Sequence, residues 1–126
     1  MAARFEHSEL IEIKKSPKRG RGVFAKKSIK KGEIIERVPV LIVTWDEIAD
    51  SELADYAFTL TEKKVGIALG YGSMYNHSYK PNARYDDEGR QTKVFSAIKN
   101  IKQGEEITVN YNGDPENQEE LDFDVV

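Results

Sequence analysis

An eleven-residue stretch occurs twice in this chain, and the recurrence restricts its possible folds more than any other feature. Ala25-Lys26-Lys27-Ser28-Ile29-Lys30-Lys31-Gly32-Glu33-Ile34-Ile35 returns 72 positions later as Ala97-Ile98-Lys99-Asn100-Ile101-Lys102-Gln103-Gly104-Glu105-Glu106-Ile107. Seven positions coincide without a gap: Ala25, Lys27, Ile29, Lys30, Gly32, Glu33 and Ile35 with their later counterparts. Each copy reads as strand, turn and strand, with the glycine permitting a positive φ that other residues resist. Two copies are too few for a solenoid. They fit matching corners of one β fold, or, more simply, two ordinary hairpin turns of similar composition.

The rest of the pattern is also short strands broken by glycine and proline. Leu10, Ile11 and Ile13 begin an apolar segment that stops at Ser16-Pro17, where a turn is expected because proline cannot donate to a ladder. Gly22 to Ala25 reads as a second strand, and Ile34 to Val43 as a longer one interrupted by Pro39, which predicts an edge or a bulge there. Thr44-Trp45-Asp46-Glu47 has the spacing of a capping box, so a short helix from about Trp45 to Leu53 follows. Val65 to Leu69, Asn82 to Tyr85, Thr92 to Ile98 and Ile107 to Tyr111 complete the strand candidates. So many short strands at close spacing predict a mainly β fold.

The 126 residues fit one domain, read here as spanning 1–126 with a core of about 10–112 and an acidic C-terminal lid or tail over 113–126. The absence of cysteine excludes disulfides, thiolate zinc sites and a cysteine nucleophile, and two histidines cannot build a closed zinc site. A net charge of −3 gives no general reason to expect nucleic-acid binding. The charge is uneven, with Lys14 to Lys31 basic and Asp114 to Asp124 acidic. The basic run reads as a solvated surface, or as a rim that attracts an acidic partner or orders a charged cofactor. No apolar stretch approaches the roughly 20 residues needed to span a bilayer, and Met1 to Glu9 lacks the apolar region of a signal peptide. The expectation is an intracellular, soluble chain in the cytoplasm, or the nucleus of a eukaryotic host.

Three segments carry more specific information. They are Arg19-Gly20-Arg21-Gly22-Val23-Phe24-Ala25 with Ile29 to Glu33, then Tyr75-Asn76-His77-Ser78-Tyr79-Lys80-Pro81-Asn82-Ala83, then Gly104-Glu105-Glu106-Ile107-Thr108-Val109-Asn110-Tyr111. A lone Gly-x-Gly is weak, because glycine pairs mark turns everywhere. Asn-His-Ser with Pro-Asn shortly after, joined to the third segment, is far more specific. In order and spacing the three resemble SET domains, the protein-lysine methyltransferase family, in the size range of its minimal viral and prokaryotic members. The resemblance implies a β-clip fold of small curved sheets, with one short helix and a C-terminal pseudoknot that threads the Tyr111 segment beside Asn76-His77.

It also implies S-adenosylmethionine as methyl donor, with S-adenosylhomocysteine as product. Gly20 and Gly22 have no Cβ and let the backbone run close to a ligand. In the family this loop lies against the cofactor, where the Arg21 guanidinium suits a carboxylate or, alternatively, points to solvent. The resemblance places Asn76 against the amino-acid end of the cofactor and the His77 backbone against the adenine. It makes Tyr111 the catalytic tyrosine, which also adjoins the cofactor, and Tyr85 a second tyrosine of the lysine channel. Tyr75 and Tyr79 read as packing beneath the site, Pro81 and Asn82 as shaping a turn, and His7 as an exposed terminal residue.

A lysine amine has a reference pKa of about 10.4, so it must lose a proton before transfer. Burial in an apolar channel and a nearby sulfonium both favour the neutral amine, so deprotonation by water needs no dedicated base. The sequence lacks the cysteine-rich closing segment of larger relatives. The resemblance to small members, in which a terminal aromatic segment folds back over the cofactor, makes Phe123 the candidate lid, the alternative being a lone apolar residue of a frayed end. The implied partner is a lysine-containing protein or peptide, a histone or other basic chromatin protein, without membrane association and with a homodimer compatible. Asp86, Asp87 and Glu88 are candidate attractors of a basic peptide, or simply an exposed turn. A non-catalytic β-clip module that binds a protein or small ligand is the rival reading.

Overall fold

The computed structural model describes residues 8–17 and 19–121, so His7 and Phe123 lie outside the described residues. Among the described residues nine strands follow in chain order: β1 (Ile11–Ser16), β2 (Gly20–Ala25), β3 (Ile34–Thr44), β4 (Ala57–Thr59), β5 (Lys64–Ala68), β6 (Asn76–His77), β7 (Ala83–Asp87), β8 (Thr92–Ala97) and β9 (Glu106–Val109). They form two sheets, ordered β1-β2-β9-β6 and β4-β5-β3-β8-β7. All the pairings are antiparallel except that of β6 with β9, which aligns Asn76 with Thr108 and His77 with Val109. That parallel contact sets the Tyr111 segment beside Asn76-His77, as expected of the pseudoknot.

The repeated segments are two corners that close on each other. Ile29 and Ile101 form an antiparallel bridge through reciprocal bonds of 2.8 and 2.7 Å. The Gly32 N–H donates to the Ala97 carbonyl at 2.8 Å, and the Gly104 N–H to the Ala25 carbonyl at 2.8 Å. Both glycines take positive φ, +89° and +90°. In each corner a glutamate, Glu33 or Glu105, accepts the backbone N–H three residues earlier at 3.1 Å. The pairs Ala25 and Ala97, Ile29 and Ile101, and Ile35 and Ile107 are all buried, so the repeat is a local two-fold motif inside one core.

Two expectations need correction. The helix α1 covers only Trp45–Ile48, and a separate 3₁₀ helix takes Glu52–Tyr56. Glu47 accepts from the Thr44 N–H and hydroxyl at 3.0 and 2.8 Å, so the start follows the predicted chemistry. The helix stops because Ser51 claims the Ile48 carbonyl with both its N–H (2.9 Å) and its hydroxyl (2.8 Å). Pro39 lies neither on an edge strand nor at a bulge, since β3 is central and its register shift falls between Ile34 and Glu36. Residues 34–39 pair with β8 and residues 40–44 with β5, so proline stands where β3 changes partners and a missing N–H interrupts neither ladder midway.

Candidate functional site

The alternation of β8 buries Lys93, Phe95 and Ala97 while Thr92, Val94 and Ser96 are only partly covered. Phe95 is completely buried and stacks on Tyr75, with ring centroids 4.4 Å apart and planes 13° from parallel. The Tyr75 hydroxyl donates to Glu36 at 2.8 Å, and burial holds that carboxyl above the usual range. Tyr75 is thus buried and held at both ring and hydroxyl, and its carbonyl becomes a fixed acceptor.

Tyr111 follows β9 and is anchored by several bonds. Its hydroxyl donates to the Tyr75 carbonyl at 2.6 Å and its N–H donates to His77 Nδ1 at 2.9 Å. The Tyr85 hydroxyl reaches the Tyr111 carbonyl at 3.3 Å. The residue remains 41% exposed, so it is anchored from inside with one side open. Burial, and then the neighbouring Tyr85 and Glu106, push the Tyr111 hydroxyl up to about 12; burial and Asp87 do the same for Tyr85. Both hydroxyls therefore stay protonated near neutral pH and work as donors, not as phenolate bases. Accepting an N–H at Nδ1 requires that nitrogen to be unprotonated, and burial, aided by the Arg19 charge, lowers the His77 pKa.

A second cluster lies on the other side of the pseudoknot. Asn76 Nδ2 donates to Glu106 Oε2 at 2.7 Å and to the Arg21 carbonyl at 3.1 Å. Glu106 also accepts from Arg19 at 2.9 Å and Ser16 at 3.3 Å. Gly22 suits this packing, because a Cβ there would sit 2.4 Å from Glu106 Oε2 and 2.7 Å from Asn76 Nδ2, and those side-chain ends would have to shift. Gly20 serves differently, through its φ of +74° in an otherwise open turn. The Asn76 amide oxygen accepts no hydrogen bond among the described residues, which leaves it available to an external donor such as an ammonium group. The Arg21 side chain is exposed. An amide acceptor on Asn76 and an exposed guanidinium on Arg21, whose backbone Asn76 contacts, suit the two charges of a zwitterionic amino-acid end, so the residues present fit S-adenosylmethionine.

A cavity of about 380 Å³ opens on the Tyr111 side, lined by Asp55, Tyr56, Phe58, Tyr75, Tyr85, Asp87, Lys93, Val109 and Tyr111 among others. Phe58 meets Tyr85 edge-on at 4.9 Å, and the Lys93 ammonium lies over both rings, 4.7 and 5.1 Å from their centroids, paired with Asp87. Of the acidic trio only Asp87 lines this cavity, and all three are already ion-paired: Asp86 with Arg84, Asp87 with Lys93, Glu88 with Arg37.

The structure thus brings Gly22, Asn76 and the Arg21 backbone together, and separately joins His77, Tyr85 and Tyr111. Glu106, Lys93 and Phe58 are contributors that sequence reasoning did not single out. Asn82 does more than shape a turn: it donates to the Glu106 carbonyl and accepts the Thr108 N–H, both at 2.9 Å, which ties the pseudoknot. The period-2 pattern of β8 does point Lys93 inward with Phe95. After Tyr111 the chain folds back, with the Leu121 N–H reaching the Tyr79 hydroxyl at 3.3 Å and Gln118 the Tyr79 carbonyl at 3.1 Å. Among the described residues no cluster of potential metal ligands occurs, and no helix is long and apolar enough to cross a membrane.

Comparison with known proteins converges on one family. The SET-domain family model matches residues 20–112. A Schizosaccharomyces pombe histone-lysine N-methyltransferase specific for H3 lysine-37 is 34% identical over 106 residues, covering 80% of this chain and 72% of that protein. A Plasmodium falciparum variant-silencing SET domain-containing protein is 34% identical over 80% of this chain, which spans only 5% of that much longer protein. Among solved structures, a Plasmodium falciparum protein crystallised as a candidate histone methyltransferase superposes with a TM-score of 0.70 at 36% identity, covering 80% of this chain and 91% of that one.

Proposed function

We propose, from the premise that this chain belongs to the SET-domain family, a division of labour around Tyr111. The chain is a protein-lysine methyltransferase, and S-adenosylmethionine supplies the electrophilic methyl group. The substrate class that fits is a histone tail, as the names of the relatives suggest.

The observation that carries the reading is the position of Tyr111 between the Asn76 cluster and the aromatic cavity. On the cofactor side, Gly20 and Gly22 admit the ligand, the Asn76 amide oxygen accepts from its ammonium, and Arg21 meets its carboxylate. On the substrate side, Tyr85, Phe58 and Tyr75 line the path of the aliphatic stem of lysine. The Tyr111 and Tyr85 hydroxyls stay protonated and orient the amine. Proton loss from the ammonium goes to water, driven by desolvation in the channel. The domain acts in solution, with a homodimer compatible.

Calorimetric titration with S-adenosylmethionine and S-adenosylhomocysteine, on wild type and on Asn76→Ala, tests the cofactor half. Binding that Asn76→Ala weakens supports the assignment. Transfer of labelled methyl to a histone H3 peptide tests the other half, and Tyr111→Phe is expected to reduce turnover by roughly 10²-fold. Cofactor binding without transfer to any lysine peptide would favour the non-catalytic module.

A further inference from the structure

The paired corners carry a feature that methyl transfer does not use. Ile29 and Ile101 point inward and are buried, so their neighbours Ser28, Lys30, Asn100 and Lys102 face outward across the bridge. Lys30 and Lys102 are then diagonal neighbours, at roughly 7–8 Å between backbones. The Lys31 N–H donates to Asn100 Oδ1 at 2.9 Å, which brings Lys31 and Lys99 to the same rim. The Gly104 bond to the Ala25 carbonyl brings Lys26 and Lys27 alongside. All six lysines are exposed, and none forms an ion pair among the described residues. Glu33 and Glu105 are tied back to the Lys30 and Lys102 N–H groups, and Glu9 adds one carboxylate at the edge beside Leu10, whose carbonyl takes the Lys26 N–H. The local excess is positive in a chain whose net charge is −3.

We propose that this two-corner face binds the phosphate backbone of duplex nucleic acid, independently of the methyl-transfer site. Three observations select that partner. The cations are all lysines, point charges that contact phosphate without reading bases. The side chains between them are small and polar, Ser28, Asn100 and Gln103, with no aromatic ring for single-stranded bases to stack on. The face carries no aromatic ring, and Ile34, 46% exposed at the end of the first corner, is too little apolar surface for the centre of a protein interface. The face lies at the Glu106 end of β9, whereas Tyr111 lies beyond the other end of that strand.

Fluorescence anisotropy of a labelled duplex against the full chain, from 50 to 200 mM salt (a range on the order of that over which phosphate binding responds), tests the assignment. Wild type is expected to bind with a strong salt dependence. Lys30→Ala combined with Lys102→Ala is expected to reduce the slope of log K against log salt by roughly 2, about 0.9 for each phosphate no longer neutralised. Lys63→Ala, an exposed substitution outside the corners, should leave the slope unchanged. No duplex binding at the low-salt end overturns the proposal, as does an unchanged slope in the double variant. Tighter binding of a single strand, or of polyglutamate, reassigns the face to those partners and overturns it equally. None of these outcomes depends on methyltransferase activity.

Discussion

Glu106 shows how one side chain organises several others. It collects hydrogen bonds from Asn76, Arg19 and Ser16 while its carbonyl receives Asn82. A glutamine there keeps the shape but turns an amide donor toward donors already present. Glu106→Gln is therefore expected to loosen Asn76 and weaken S-adenosylmethionine binding by about tenfold, about 1.4 kcal/mol, measured by calorimetry. His77 makes the assembly sensitive to pH. Its folded pKa lies below the reference value, so the unfolded chain binds the proton more readily. Stability is then fully present above about 6.5 and declines as the pH falls through the window below it. Thermal melts between pH 5 and 7, a window on the order of the histidine range, should show a loss in wild type that is reduced in His77→Gln. An equal loss in the variant would assign it to other groups.

Among the elements, the two corners are near-copies in conformation as well as sequence. At Gly32 and Gly104 a Cβ would meet nothing within 4 Å, so alanine there is penalised by backbone strain alone. Gly32→Ala and Gly104→Ala should each cost about 1–2 kcal/mol in denaturant unfolding. Because the glycines bond reciprocally into each other's corner, the double variant should depart from additivity. Strand β8 illustrates the opposite relation of pattern to content. Its alternation fixes which side chains turn inward, yet the inward set includes Lys93, whose charge is accommodated by Phe58, Tyr85 and Asp87.

At the scale of the whole molecule, the bridge between Ile29 and Ile101 joins segments 72 positions apart, and both side chains are essentially buried. Ile101→Ala should cost about 2–5 kcal/mol, a large share of the about 5–15 kcal/mol typical of a folded domain. Thermal unfolding of that variant beside the exposed Lys102→Ala measures the difference; equal midpoints would remove the bridge from the core. What the sequence determined by itself was whatever depends on near neighbours: the repeated corners, the β-rich pattern, the start of α1, and the three motifs that mark the family. Strand boundaries came within a few residues for the same reason. The end of α1, the placement of Pro39 and the two-residue strand β6 depended on partners distant in sequence. So did the site: Asn76 finds Glu106 and Arg21, and Tyr111 finds His77, Tyr75 and Tyr85, only after β6 has paired with β9. Short motifs specify which groups are available, but hydrogen-bond partners 30 or more positions away are chosen by tertiary packing, because only closure of the chain brings them within bonding distance.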